Sequence, residues 1–599
     1  MKVLLAFIML LLLVNCTSSN RKSSEEKSVD WAKGIVWYQI FPERFRNGNP
    51  ANDPKASEVP GSEAEPGWQI HPWGSDWYEL QPWEKKKSDY FYDPVYNRFY
   101  GGDLEGVIQK LDYLEDLGVN AIYFNPVFES PSLHKYDGST FHHIDDNFGR
   151  NPQSDRDRLA AAHETDNPQS WIWTSADSVF LQLISQAHKK NIRIVIDGVF
   201  NHTGTEFFAF SDLQKNGQNS IYADWYDVIS WDNPETDKNE FDYKGWYGHK
   251  SLPEFFEDEN GFHKGVWQYI IAASKRWMDP NQDGDPSDGI DGWRLDAAET
   301  VNPKFWKDWY QQVKQLNPDA LIVAELWDEA SADIHEQQFD GVMNYPFAYA
   351  MMEYFINDKR KISSEQLADR LTKLVDGYGE KTMHLLWNLM DSHDTDRHAS
   401  MILNPDLNFD RDRSPKDNPD YIVRKPTDEE RKTQKLIAAF KMTFIGAPII
   451  YYGTECGMWG TDDPDNRKPM LWKDIKYDDE RTHPLKGKTR PDDKNVFDDA
   501  LFNYYKTLID LRRTNPALKI GSFKVLPTTI SENTFGFIRR TKTQSLFVIF
   551  NRADKDESVE LASNGSLTDI ISGEKFESNS GVSRIYLTAK SFRILQDSL

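Results

Sequence analysis

The stretch Gly289-Ile-Asp-Gly-Trp-Arg-Leu-Asp296 reads as a short, mostly apolar run that ends on a carboxylate. A strand buried on both faces is near-continuously apolar, and in a closed α/β barrel chemistry sits just past the C-terminal ends of such strands. Working outward, similar runs recur at Ile35–Phe41, Ala121–Phe124 and Ile192–Val199 before it, and at Ala320–Ala324, Gly341–Asn344, His384–Leu389 and Pro448–Tyr452 after it. Amphipathic stretches lie between several of them: Asp103–Leu117 is apolar at helical spacing and stops at Gly118, and Ser175–Lys190 opens on a Ser/Asp-rich cap. Eight β-α units predict a closed (β/α)8 TIM barrel rather than an open sheet.

The barrel is expected over residues 31–202 and 264–520. Between them, residues 203–263 show little helical periodicity and read as an inserted irregular subdomain beside the active face. From 521 to 599 the pattern changes to short alternating strands such as Thr534–Arg539, Ser545–Asn551 and Ser591–Leu595, which predicts a C-terminal antiparallel β-sandwich. At the other end, Lys2, an apolar run from Val3 to Val14, and Cys16 predict a targeting segment over residues 1–16, too short to span a bilayer, followed by a polar tether at 17–30. Two readings stand for the segment: a lipoprotein signal with Cys16 as the acylated residue, or an ordinary cleaved signal peptide. Both imply export, and the first implies a lipid anchor in a bacterial envelope membrane. With Cys16 set aside only Cys456 remains, so no intrachain disulfide is expected.

Composition narrows the partner. The 599 residues carry 70 basic and 95 acidic side chains, a net charge of −25, which argues against nucleic acid and is compatible with a neutral substrate. The 20 Trp residues offer flat apolar faces on which sugar rings stack, although a large core uses them as well.

Three acids fall at strand ends: Asp296 after the fourth strand, Glu325 after the fifth and Asp394 after the seventh. Each alone reads equally as a solvated loop carboxylate. Together they suit acetal cleavage, which needs one acid to protonate the leaving oxygen and one carboxylate to attack or steady the carbon, about 5 Å apart in retaining enzymes. Arg294, two residues before Asp296, falls on the same strand face and is expected to keep that carboxylate ionised. Glu325, between Leu321–Ala324 and Leu326-Trp327, has the apolar flanks expected of an acid/base.

Four blocks then identify the chain as similar to the α-amylase family of glycoside hydrolases: Asp197-Gly-Val-Phe-Asn-His202, Gly292-Trp-Arg-Leu-Asp296, Ala324-Glu-Leu-Trp327 and Ser392-His-Asp394. Asn125-Pro-Val127 and the stretch Gly446 to Glu455 support them. The resemblance implies double displacement with retention on an α-glucan substrate, with Asp296 as nucleophile, Glu325 as acid/base and Asp394 binding sugar hydroxyls as the ring flattens. It further implies His202 and His393 as hydroxyl donors, Asp197 organising the floor of the site beside Arg294, and Tyr136 stacking under the sugar.

Ile40-Phe-Pro-Glu-Arg-Phe45, His134-Lys-Tyr-Asp137 and Glu325-Leu-Trp327 most resemble the neopullulanase and cyclomaltodextrinase branch, making Trp327 a substrate contact. Members of that branch usually carry an N-terminal β-domain, whereas here the barrel is expected to begin almost directly after the tether. Leu252-Pro-Glu-Phe255 and Ala298-Glu-Thr300 also depart from the branch, which leaves the choice of glucan open between α-1,4 and α-1,6 bonds. Hydrolysis is the favoured outcome; transglycosylation through the same intermediate and a non-catalytic glucan-binding barrel are the alternatives.

Asn47-Gly-Asn-Pro-Ala-Asn-Asp53 concentrates oxygen donors in a tight loop, the environment Ca²⁺ prefers, and also reads as a plain Asn/Asp turn. Similarity to the family's calcium loop implies a structural Ca²⁺ held by Asn47, Asn49, Asn52, Asp53, the Gly101 carbonyl and Asp103. A second candidate loop, Asp279 to Asp285 with Asp288 and Asp291, reads equally as a metal loop or a turn.

Overall fold

The computed structural model describes residues 29–60 and 67–597. The segment 1–16 with Cys16, and the tether up to residue 28, lie outside the described residues.

Eight parallel strands form one sheet: Trp37–Ile40, Ala121–Phe124, Arg193–Gly198, Gly292–Leu295, Leu321–Ala324, Gly341–Val342, Trp387–Asn388 and Ala447–Tyr451. Each pairs in parallel with its sequence neighbour from the first to the sixth, and the first pairs with the eighth, the eighth with the seventh. A parallel bridge between Met343 and Trp387 joins the sixth strand end to the seventh and closes the barrel. Strands sealed on both faces explain the unbroken apolar runs. Inward, Trp37, Tyr123, Val195, Val323, Met343, Trp387 and Ile449 fill the barrel; the alternate residues, such as Ile122, Ile194 and Ile322, pack against the helical ring.

The helix Ser175–Lys189 shows how that ring is specified. Thr174 caps it by accepting from the Asp177 amide, and Ala176, Val179, Phe180, Leu183, Ile184 and Ala187 bury one face at spacings of three and four. The expected single helix over Asp103–Leu117 is two, Leu104–Gln109 and Leu111–Leu117, because the chain tightens at Lys110, whose amide bonds back to Val107 at 3.0 Å. Asp103 caps the first and Gly118, at φ 94°, ends the second.

The segment 203–263 departs from expectation by containing a helix, Phe208–Asn216, alongside two short antiparallel hairpins. Its buried residues Ala209, Phe210 and Leu213 follow Phe207 and Phe208 so closely that the aromatic cluster masks the helical period. At the C-terminus a six-stranded and a three-stranded antiparallel sheet share a core of Ile549, Val559, Leu561, Leu567, Ile585 and Leu595, the predicted sandwich. Phe523, Phe535, Phe537 and Phe550 seat it on Phe440 and Phe444 of the barrel's penultimate helix region.

Candidate active site

The expected acids converge at the C-terminal mouth of the barrel around one guanidinium. Arg294 Nη1 lies 2.9 Å from each oxygen of Asp197 and 2.8 Å from Asp296 Oδ1, and Nη2 lies 2.9 Å from Glu325 Oε2. Arg294 and Asp197 are fully buried, so the strands themselves hold the charge scaffold. Past Asp296 the backbone turns left-handed at Ala297, φ 46°, which aims its amide at Glu325 Oε2, 3.1 Å away. Trp327 Nε1 donates to the other oxygen at 3.3 Å, and its ring stacks on Tyr345 with centroids 4.0 Å apart. Glu325 is thus met by donors on both oxygens, a more polar setting than its apolar sequence flanks imply.

Burial pushes the Asp296 carboxyl well above the ordinary range; Arg294 opposes this, while Glu325, Asp197 and Asp394 add to it. Asp394 is pushed up to about 8 by burial and then by Glu325, against the pull of Arg467 and Arg294. Three carboxylates share the Arg294 guanidinium, and burial raises both Asp296 and Asp394, so the cluster favours keeping a proton at neutral pH. A site that must present an acid and a carboxylate side by side needs that state.

A second network fixes the far wall. Gln39 Nε2 donates to Asn125 Oδ1 at 3.0 Å and to His393 Nδ1 at 2.9 Å, leaving the His393 proton on Nε2. That nitrogen faces Asp394 Oδ2 at 3.1 Å and the Tyr136 hydroxyl. Tyr136 donates to Asp197 Oδ2 at 3.0 Å, accepts from Asn125 at 2.9 Å, and lies parallel to the His393 ring at 5.4 Å. His202 sits under Trp246, ring centroids 5.2 Å apart; burial drives its imidazole down to about 4, and its Nε2 finds no hydrogen-bond partner among the described residues. These contacts join Asp197, Arg294, Asp296, Glu325, Trp327, Tyr136, His393 and Asp394 at one mouth, with Asp394 the most open of the three acids, its side chain 29 % exposed.

Several contributors escaped sequence reading. Gln39 was visible only as a polar residue inside the first apolar run, and Tyr123, whose hydroxyl donates to Asp197 at 2.7 Å, as one more strand aromatic. Arg467 lies in an Asp-rich loop after the eighth strand. It donates to the His393 carbonyl at 2.9 Å and approaches Asp394 Oδ1 at 3.5 Å, and no local pattern marks it. In the departing tetrad Leu252 to Phe255, Glu254 pairs with Lys244 at 2.7 Å and bridges the His202 backbone, while Phe255 is buried; this stretch shapes the wall behind His202.

The 47–53 loop and Gly101 form a cradle. Asp103 accepts from the amides of Gly48 at 3.1 Å and Asn49 at 2.9 Å, Asn47 donates to Asp53 Oδ1 at 2.7 Å, and a side chain at Gly101, φ 73°, would strike Asp53. Asn47 Oδ1 and Asn52 Oδ1 are buried without partners among the described residues. Orphaned oxygens beside two carboxylates fit a hard cation. In the second loop Gly284, at φ 85°, donates to Asp279 Oδ2 at 3.0 Å, and Asp279 Oδ1 and Asp288 Oδ1 find no hydrogen-bond partner among the described residues. Asp291 does not join that loop: it binds His188 at 2.7 Å and Arg193 at 2.6 Å, because it opens the fourth strand and faces the third.

Comparison with known proteins agrees with the fold. Residues 39–166 and 175–521 match the model of the alpha-amylase catalytic domain. The chain is 33 % identical over 562 residues to neopullulanase 2 of Thermoactinomyces vulgaris, covering 93 % of this chain and 77 % of the relative. It is 32 % identical to the cyclomaltodextrinase of Thermoanaerobacter pseudethanolicus, covering 95 % and 78 %. A solved cyclomaltodextrinase structure superposes with a TM-score of 0.71 at 29 % identity, over 95 % of this chain and 79 % of that one.

Proposed function

Since the chain belongs to the α-amylase family of glycoside hydrolases, we propose that it hydrolyses α-1,4-glucosidic bonds, and α-1,6 bonds where the glucan offers them, in starch-derived oligosaccharides and cyclodextrins with retention of configuration. The observation that carries this reading is the Arg294 fork, which touches Asp296 and Glu325 at once and favours the close carboxylate spacing of a covalent mechanism, roughly 5 Å. Asp296 attacks the anomeric carbon as Glu325 delivers its proton to the departing glucosidic oxygen, leaving a glucosyl ester on Asp296. Glu325, now ionised, takes a proton from water, and the hydroxide attacks the same carbon and releases Asp296. Asp394, His393 and His202 hold ring hydroxyls through the flattened transition states, and Tyr136 and Trp327 supply apolar faces.

Incubation of the purified protein with starch, pullulan, cyclodextrins and maltotriose, followed by product chromatography and an NMR reading of the first-formed anomer, tests the proposal. Early α-anomer is the expected result. Absence of products from every substrate, or early β-anomer, overturns it.

We also propose that Asn47, Asn49, Asn52, Asp53, the Gly101 carbonyl and Asp103 hold a structural Ca²⁺, a reading supported by the orphaned oxygens of Asn47 and Asn52. We propose export with a lipid on Cys16, a reading supported by the apolar run Val3 to Val14 ahead of that cysteine. Recovery of Cys16→Ser in the membrane fraction at the native level would exclude the anchor.

A further inference from the structure

Away from the catalytic cluster, two histidines of the loop after the second strand meet a glutamate from beyond the following helix. His142 Nε2 lies 3.1 Å and His143 Nε2 2.7 Å from the same atom, Glu164 Oε2, and the three ligand atoms fall within 4.8 Å of one another. The remaining atom of each group is already engaged. His143 Nδ1 is 2.9 Å from Asp177 Oδ2, His142 Nδ1 is 2.8 Å from the Tyr269 hydroxyl and 2.6 Å from Thr140 Oγ1, and Glu164 Oε1 accepts from the Ile172 amide at 2.5 Å. Trp171 lies flat on His142, 8° from parallel at 4.1 Å, which fixes the ring plane.

Asp177 is also paired with Arg276 at 3.1 Å and serves His143 as an acceptor, so the His143 proton belongs on Nδ1 and Nε2 presents a lone pair. Glu164 Oε2 presents another. Two acceptors facing each other across a hydrogen-bond distance require positive charge between them, either a second proton on His143 or a cation. Two imidazole nitrogens and a carboxylate oxygen aimed at one point, with an imidazole backed by a carboxylate, constitute the donor set of a zinc-type site with its outer shell in place. The nitrogen-rich set disfavours Ca²⁺ and Mg²⁺. Glu164 is the most exposed of the three, 11 % at its side chain.

We propose that His142, His143 and Glu164 bind a divalent transition metal of the Zn²⁺ class, which clips the loop carrying Tyr136 to the segment ahead of the helix Ser175–Lys189. The loop returns through the Phe128–Ile144 bridge immediately after the two histidines, so the ion would brace the base of the arm that delivers Tyr136 to Asp197. This role is structural and does not depend on which glucan is cleaved.

The test uses the full chain without a histidine affinity tag, stripped with chelator and held in excess Ca²⁺ so that oxygen-lined loops are filled. Titration with Zn²⁺ against a chromophoric chelator is expected to show one tight equivalent, and Co²⁺ is expected to give the visible absorption of a four-coordinate site. His142→Ala should abolish the equivalent, and Glu164→Gln, which keeps the side-chain shape, should weaken it by about 10-fold or more. Circular dichroism establishes that the variants are folded, and the cobalt spectrum needs no variant. No stoichiometric binding by the native chain overturns the proposal, leaving His143 held by a second proton, as does binding undiminished in both variants.

Discussion

Arg294 and Asp296 stand two residues apart on one face of the fourth strand, and Nη1 of the first lies 2.8 Å from Oδ1 of the second. The same guanidinium compensates Asp197 and Glu325, so no other side chain can replace it without leaving a buried charge unpaired. Arg294→Lys keeps the charge and loses the fork. It is expected to lower kcat by about 100-fold or more and to destabilise the fold by roughly 3 kcal/mol. Steady-state rates on maltotriose and urea unfolding measure both; near-native values for the two would show that the fork is dispensable.

Asp296 and Glu325 should separate by leaving group. Asp296→Ala is expected to abolish turnover on every substrate with the melting curve retained. Glu325→Gln removes the proton donor, so cyclodextrin hydrolysis should collapse by at least about 100-fold, while α-maltosyl fluoride, whose leaving group needs no proton, still glycosylates Asp296. Equal loss on both substrates in Glu325→Gln would reassign the acid.

His384 predicts acid sensitivity. It is buried at the bottom of the barrel, its imidazole driven down to about 3 by burial and by Arg539, Arg512 and Lys33. The unfolded chain takes this proton below about pH 6.5 and the folded chain refuses it until about 3, so the contribution is complete above pH 6.5 and is lost as pH falls. Between pH 7 and 5 the native chain should lose about 2 kcal/mol that His384→Gln does not lose. Urea midpoints at the two pH values decide this, and identical losses would dismiss it.

Calcium removal should be felt as stability rather than chemistry. Chelation is expected to lower the melting temperature by several degrees, and Asp53→Asn should erase the difference between chelated and calcium-replete protein. A melting curve indifferent to chelator would leave the 47–53 loop as a turn built on the Asp103 amide contacts.

The strands, the acids at their ends and the sandwich were legible because each is a local pattern: a both-face apolar run, the residue that follows it, an alternation. The Lys110 break and the helix Phe208–Asn216 were not, since a local tightening and an adjacent aromatic cluster interrupt the helical period, and the diversion of Asp291 to His188 and Arg193 was not, since it answers to neighbours distant in the chain. Arg467 is the clearest omission. Its place beside His393 and Asp394 is set by an irregular loop with no period to read.

Sequence by itself determined which acids follow the strands, Asp296, Glu325 and Asp394, with Arg294 on the face of Asp296, because each apolar run marks its own end; Asp197 entered through the resemblance of its block to the α-amylase family. Only the tertiary structure decided how they meet. Asp197 and Arg294 are 97 positions apart, and the parallel register of the third and fourth strands, with barrel closure behind it, makes them a single charge cluster. The same closure turns His393 toward Tyr136 through Gln39. Side-chain identity is a property of the chain, whereas the distance between two charges from different β-α units is a property of the packed barrel.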